Sequence, residues 1–263
     1  MGALGAHNAE VKRLRALLRD ADVRAEQQAC VLDGPRAISG ALDRGAVIGA
    51  MYLGVDAQAE ARLVARRARE RGIAVTELAA GGATRIAAVH ASAGVLALVH
   101  TRRPELESID HGDFWLLAAQ INDPGNLGTL IRAAEAAGAS GIIVGERSVD
   151  VYNPKVVRAS AGAVFGIPVV EANAMDMSKR LGARGLLRLG AVARGGTPLD
   201  RAPLVGPVAL IVGHETRGIA DVPVDGVVSI PMIGSADSLN VAIAGSVLLF
   251  ETARQRRTAG ANP

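Results

Sequence analysis

Three short stretches carry polar residues where a folded chain has few other uses for them. The first is "NDPGNLGTLIR", residues 122–132, which follows the apolar run "FWLLAAQI" and opens an amphipathic pattern. A strand-to-helix turn with Pro124, Gly125 and Gly128 presents free backbone N–H groups of the kind that cradle an anion. Neither G-x-x-x-x-G-K-[ST] nor G-x-G-x-x-G occurs in the chain, so the triphosphate and dinucleotide readings lose their main support. Asn126 is placed to cap the helix, and Arg132 stands six residues on, about 9 Å along the axis at about 1.5 Å per residue. Helical side chains lean toward the N-terminus, so Arg132 can reach back to the mouth of the turn; a plain surface pair with Glu135 is the competing use.

The second stretch is "LIVGHETRGI", residues 210–219, where Glu215 follows an apolar strand and a glycine, a costly place for a carboxylate without a partner. His214 and Arg217 invite a hydrolase or metal reading. No second histidine follows four positions on and no G-x-S-x-G elbow exists, so His214 is read as a surface or hydrogen-bonding residue. The third is "IPMIGSADSLNVAIAG", residues 230–245, with Ser238 at the expected N-cap of the last helix and Asn240 in its first turn. That helix is apolar nearly all round, which predicts burial, and its two polar side chains must then meet backbone or ligand.

The elements that position these stretches follow from periodicity. The first half alternates helix and strand: a basic helix near "NAEVKRLRALLRD", the strand "QACVLD", the helix "GPRAISGALDRG", the strand "AVIGAMYLG", the long helix "AQAEARLVARRARERG", and the strands "IAVTEL" and "GVLALVH". Together they predict a small α/β sandwich over residues 1–104. The charged segment "HTRRPELESIDHGD" reads as the boundary, and strands separated by helices resume over 112–263, which predicts a parallel sheet covered on both faces. Ligands of open parallel sheets bind beyond the carboxyl ends of the strands, so three polar loops placed there converge on one crevice.

Charge is uneven along the chain. Residues 1–104 hold 15 basic and 10 acidic side chains, whereas residues 105–263 hold 14 and 16. A basic first half suggests a polyanionic partner, although a solvated arginine-rich face gives the same count. Of the basic residues only Lys12, Lys155 and Lys179 are lysine, and arginine's planar fork suits phosphate. With one Trp, two Tyr and three Phe, base stacking is a poor route to RNA binding, and phosphate and shape contacts are expected instead. Cys30 stands alone, which excludes a disulfide framework and a multi-cysteine zinc site. No apolar stretch reaches the ~18 residues of a spanning helix, and no apolar core precedes the first charges as in a secretory signal. No membrane association and a cytoplasmic location are expected.

"NDPGNLGTLIR", "LIVGHETRG" and "IPMIGSADSLNVAIAGSVLLFE" resemble, in order and interval, the three motifs of the SpoU or TrmH-like branch of the SPOUT methyltransferases. "CVLDGPRAISGAL" resembles the ribosomal-protein-like substrate domain of the rRNA-modifying members. The resemblance implies an S-adenosylmethionine-dependent enzyme that methylates a ribose 2′-hydroxyl in RNA, with 23S rRNA the expected target. It implies a homodimer formed through the C-terminal domain and a deep trefoil knot in that domain, which topology rules alone argue against. Residues 1–104 become the RNA substrate-binding domain and 112–263 the methyltransferase domain. Asn126, Arg132, Glu215, Ser238 and Asn240 match the polar motif positions. Gly213, Ile230, Met232 and Leu239 fall where the family wraps its cofactor, without a metal. "NPKVVRASAG" is similar to a family stretch near bound RNA, which makes Lys155, Arg158 and Ser160 candidate phosphate contacts.

Methyl transfer joins a sulfonium to a developing alkoxide, so charge is neutralised in the transition state and a partly dry pocket favours it. A guanidinium stays protonated to pH above ~12, so Arg132 is read as holding phosphate and stabilising the alkoxide. Ser238, Asn240 and Glu215 orient it and the ribose. A tRNA 2′-O-methyltransferase and a catalytically idle RNA- or ribosome-binding protein of the same fold are the alternatives.

Overall fold

The computed structural model describes residues 8–87, 93–214, 217–219 and 221–260. Residues 1–102 together with 152–166 form one compact unit, and 103–151 with 167–263 form the second.

In the first unit the basic N-terminal pattern makes two helices, α1 (Ala9–Arg19) and α2 (Ala21–Gln27), because Asp20 between them is extended and its side chain accepts from the N–H groups of Asp22 and Val23. There follow β1 (Ala29–Asp33), α3 (Pro35–Asp43), β2 (Ile48–Gly54), α4 (Ala59–Glu70), β3 (Val75–Leu78), α5 (Gly82–Ala87) and β4 (Val95–His100). The sheet order is β1-β4-β2-β3, with only β2 and β3 parallel. Strand alternation sends Ala29, Val31, Tyr52, Leu96 and Leu98 to a core with α1 and α5. The intervening buried residues, such as Cys30, Leu32 and Met51, face the side on which α3 and α4 pack.

Much of this unit's basic excess is spent on architecture. Arg24 donates to the Leu17 carbonyl at 2.6 Å, Arg44 to Gly40 at 3.0 Å and Arg62 to Ala57 at 3.0 Å. Arg67 donates to Ser39 Oγ at 2.6 Å and Arg71 to the Leu42 carbonyl.

The second unit runs β5 (Phe114–Ala118), α6 (Pro124–Ala136), β6 (Gly141–Gly145), then, beyond a segment given to the first unit, β7 (Val169–Ala172), α8 (Ala174–Ala183), β8 (Leu187–Ala191), β9 (Thr197–Pro198), β10 (Val208–Val212), β11 (Gly226–Ser229) and α9 (Val241–Thr258). To keep chain order, the helix within that segment, Pro154–Ser160, is α7, and α8 and α9 are numbered after it. The sheet order is β7-β6-β5-β10-β8-β11-β9 and every pairing is parallel. β5, β6 and β10 are buried along their whole length, as a sheet covered on both faces requires. Trp115, Leu117, Ile143 and Ile211 pack with Met177 and Leu181 of α8; α6 and α9 pack on each other on the remaining side. The far end of α9 is pinned by Arg256, which donates to Asp113 Oδ1 at 2.9 Å and to the carbonyls of Asp113, Leu204 and Gly206.

Three expectations need correction. Residues 152–166 leave the C-terminal unit for the N-terminal one, because α7 packs on β1 and α3. Glycines permit that approach: a Cβ on Gly40 would meet the Ala161 carbonyl oxygen at 2.2 Å, and Gly162, at φ +86°, would meet the Gly40 backbone at 2.7 Å. Helix α9 is not buried all round, since Ile243 is 53% and Phe250 49% exposed. Ser160 is not a surface phosphate contact: it is fully buried and its hydroxyl donates to the Val157 carbonyl at 2.9 Å.

Candidate active site

The polar loops of the second unit all leave the carboxyl ends of its parallel strands. Asp123, not Asn126, caps α6: it is extended, and its Oδ1 accepts from the Asn126 N–H at 2.8 Å. Asn126 therefore sits in the first turn rather than at the cap, and Asn240 Nδ2 donates to Asn126 Oδ1 at 3.0 Å across 114 residues of chain. At the last helix too the cap falls on a residue other than the one expected. Asn240 is the N-cap of α9, its Oδ1 accepting from Ala242 and Ile243, while Ser238 stands two residues before it, exposed. One asparagine thus caps a helix with its oxygen and holds Asn126 with its nitrogen. That use of both ends of the amide fixes the two motif loops against each other.

Beside this contact lies a cleft of about 320 Å³. Gly213, Ile230, Met232 and Leu239, named from the sequence as cofactor residues, all line it, together with Ser238. Apart from His214, the remaining wall is apolar and includes Val212, Val228, Val241 and Leu248. Ala191, Val192 and Ala193, at the end of β8, form a further wall that sequence reasoning missed; the only signal was that small residues follow an apolar strand in "LRLGAVARGG". A second, smaller cavity of about 150 Å³ adjoins it, lined by Gln120, Asn122, Asp123 and Asn126 and sharing Gly213, His214 and Val241 with the cleft. An apolar chamber thus opens beside a polar one, with the Gly213–His214 segment between them.

That segment is held by a tight turn. The His214 N–H donates to the Gly218 carbonyl at 2.9 Å and the Gly218 N–H returns to the His214 carbonyl at 2.8 Å. Glu215 lies outside the described residues. Arg132 is exposed on α6, lines neither cavity, and has no hydrogen-bond or ion-pair partner among the described residues, so the surface pair with Glu135 does not form. Lys155 and Arg158 belong to the first unit; Lys155 is exposed, and Arg158 is paired with Asp33 Oδ2 at 3.2 Å, an oxygen on a nearly buried carboxylate. Among the described residues no three His, Cys, Asp or Glu side chains gather as metal ligands, and no helix is long and apolar enough to cross a membrane.

Residues 113–250 match the model of the SpoU rRNA Methylase family. An uncharacterized tRNA/rRNA methyltransferase of Mycobacterium tuberculosis (strain ATCC 25177 / H37Ra) is 33% identical over 95% of this chain and 82% of its own. The 23S rRNA (uridine(2479)-2′-O)-methyltransferase of Streptomyces viridochromogenes is 32% identical over 95% of this chain and 91% of its own. The crystal structure of the SpoU methyltransferase AviRb from Streptomyces viridochromogenes, in complex with the cofactor AdoMet, superposes with a TM-score of 0.81 at 31% identity, covering 95% of this chain and all of that one.

Proposed function

We infer that this chain, which belongs to the SpoU rRNA Methylase family, transfers a methyl group from S-adenosylmethionine to a ribose 2′-hydroxyl of 23S ribosomal RNA. The observation that carries the reading is the pair of adjoining chambers, apolar and polar, fastened together by the Asn240–Asn126 bond. The larger is at the small end of clefts that enclose a cofactor-sized ligand, ~300–1,000 Å³. Its residues fit the group: Gly213, Ile230, Met232 and Leu239 offer backbone and apolar surface with no charged side chain in the described wall. Bound there, S-adenosylmethionine supplies an electrophilic methyl on a sulfonium. The apolar wall excludes water from a step in which charge disappears. Asn126 and Asn122 line the polar chamber and orient the ribose. Arg132, two turns along α6, holds the neighbouring phosphate and stabilises the oxygen as it becomes an alkoxide. Ser238 and Glu215 complete the orientation.

The exposed apolar stripe of α9, Ile243, Val247 and Phe250 at i, i+4 and i+7 spacing, supports a homodimer built through the C-terminal unit. Phe250→Glu is expected to halve the mass found by sedimentation equilibrium; a monomeric wild type removes this part of the reading. The family's trefoil knot belongs to the same reading. It is supported by the return of α9, which follows β11 far out in the sheet, to pack on β10 and α6.

Affinity for RNA is assigned chiefly to the first unit, through basic residues not engaged in its architecture, such as exposed Lys12, Arg66 and Arg69. Purified protein should bind S-adenosylhomocysteine in a calorimeter and place 2′-O-methyl groups on 23S rRNA, with RNA binding that weakens steeply as salt rises. Reversing those three charges to Glu should lower both affinity and salt slope. Deletion of residues 1–104 is a poor test, because it would strip residues 152–166 of the core they pack on. No heat with S-adenosylhomocysteine, or methylation of tRNA alone, would overturn the cofactor or the substrate respectively.

A further inference from the structure

We propose that Arg194 and Asp237 are positioning residues for cofactor exchange: their ion pair latches the segment 231–239 across the mouth of the apolar cleft. The task of the latch, though not its geometry, rests on the methyltransferase reading above.

The pair joins two walls of one cleft. Ala191, Val192 and Ala193 line it from the end of β8, and Arg194 is the next residue. Ser238 and Leu239 line it from the approach to α9, and Asp237 is the residue before them. Strands β8 and β11 are parallel neighbours in the sheet, so the segments that leave their carboxyl ends start side by side. Beyond them Arg194 Nη2 donates to Asp237 Oδ1 at 3.1 Å, between residues 43 apart in sequence. The two side chains are 72% and 97% exposed, so the pair spans the walls on their solvent side rather than within the cleft.

The segment it holds has little else to hold it. Residues 231–239 belong to neither helix nor strand, and among the described residues the bond from Arg194 is the one hydrogen bond or ion pair they make. Their side chains are exposed apart from that of Met232, which lines the cleft, and Ile233 lies wholly in water. A stretch with so few buried contacts and backbone hydrogen bonds opens at low free-energy cost, and segments of this kind gate bound ligands in many enzymes. The cleft, about 320 Å³, is at the small end for a cofactor-sized ligand. Entry and departure therefore require the segment to swing out, and each must first part Arg194 from Asp237.

A latch has a kinetic signature of its own. With the pair made in free and loaded protein alike, breaking it speeds entry and departure together and leaves affinity almost unchanged. A side chain that touched the ligand would change affinity instead.

The test compares wild type with Arg194→Ala, Asp237→Asn and the exchanged pair Arg194→Asp with Asp237→Arg. Association and dissociation rates of S-adenosylhomocysteine are read by surface plasmon resonance, and hydrogen exchange of residues 231–239 by mass spectrometry in ligand-free protein. Each single variant should raise both rates together by about two- to fivefold, the range of an exposed ion pair, with the dissociation constant within about twofold of wild type. Exchange over 231–239 should quicken by a similar factor. The exchanged pair should restore rates and exchange toward wild type. Raising salt from about 0.1 to about 1 M, which shortens the Debye length from ~10 to ~3 Å, should bring the wild type to the rates of Arg194→Ala and leave that variant unmoved. Variant rates and exchange equal to wild type would overturn the latch while leaving the enzyme reading intact. So would affinity lost at an unchanged association rate, which marks direct contact with the ligand. A wild type that binds no S-adenosylhomocysteine would overturn the cofactor reading and the latch's task with it.

Discussion

Arg132→Ala is expected to lower methyl transfer by at least ~10²–10³-fold, the usual loss when one donor to a developing oxyanion is removed, and to leave S-adenosylhomocysteine affinity within about twofold. The separation follows from where the residue stands. Arg132 lines neither chamber, so the cleft walls formed by Gly213, Ile230, Met232 and Leu239, where the cofactor is proposed to bind, do not depend on it. It is exposed and has no hydrogen-bond or ion-pair partner among the described residues, so its removal orphans nothing and melting temperature should hardly move. Arg132→Lys should recover little, because an ammonium keeps the charge and loses the two-pronged contact with phosphate. An Arg132→Ala enzyme that turns over at the wild-type rate would leave this side chain as solvated surface and remove it from the mechanism.

Gly213→Val is expected to abolish measurable S-adenosylhomocysteine binding, a loss of 100-fold or more, with activity lost in parallel. Gly213 is buried at the end of β10 and is common to both chambers. A Cβ there would meet the Gly218 carbonyl oxygen at 1.9 Å and its carbonyl carbon at 2.4 Å. That oxygen accepts the His214 N–H. Backbone on both sides leaves no flexible side chain to yield, so the turn must open and the partition between the chambers must move. Gly206→Ala is the control, since nothing lies within 4 Å of a Cβ at that position of the same unit. Circular dichroism should show both variants folded. A folded Gly213→Val protein with undiminished affinity would place the cofactor elsewhere.

The residues 122–132, 210–219 and 230–245 announced a site because each joins an apolar strand pattern to polar side chains that the strand's own packing does not need. Periodicity was enough to place them beyond the carboxyl ends of a parallel sheet, since a sheet buried on both faces writes itself as continuous apolar runs. The resemblance to the SpoU or TrmH-like motifs, rather than periodicity, singled out Gly213, Ile230, Met232 and Leu239, which share one cleft with Ser238. Local pattern could not decide which of several neighbouring polar residues caps a helix. Asp123 displaced Asn126 and Asn240 displaced Ser238, because capping depends on the backbone angle at one residue, and freeing Asn126 from that task is what allows it to meet Asn240.

Burial was the other matter left to tertiary structure. "LNVAIAGSVLLFE" reads as fully enclosed, yet α9 keeps Ile243, Val247 and Phe250 outside, because an apolar helix can be covered by its own chain or by a second one and its sequence is the same in both cases. The partition of the chain was likewise not legible. Residues 152–166 join the first unit through contacts of Gly40 with Ala161 and of Gly162 with Gly40, and a missing Cβ specifies closeness without saying to what. The sequence by itself determined the elements, the parallel sheet and the chemistry gathered at its edge, since these depend on the period of apolar residues and on side-chain type. Only the tertiary structure decided which polar atoms meet, which apolar face stays open and which unit owns α7, because those outcomes depend on distances between residues far apart in the chain.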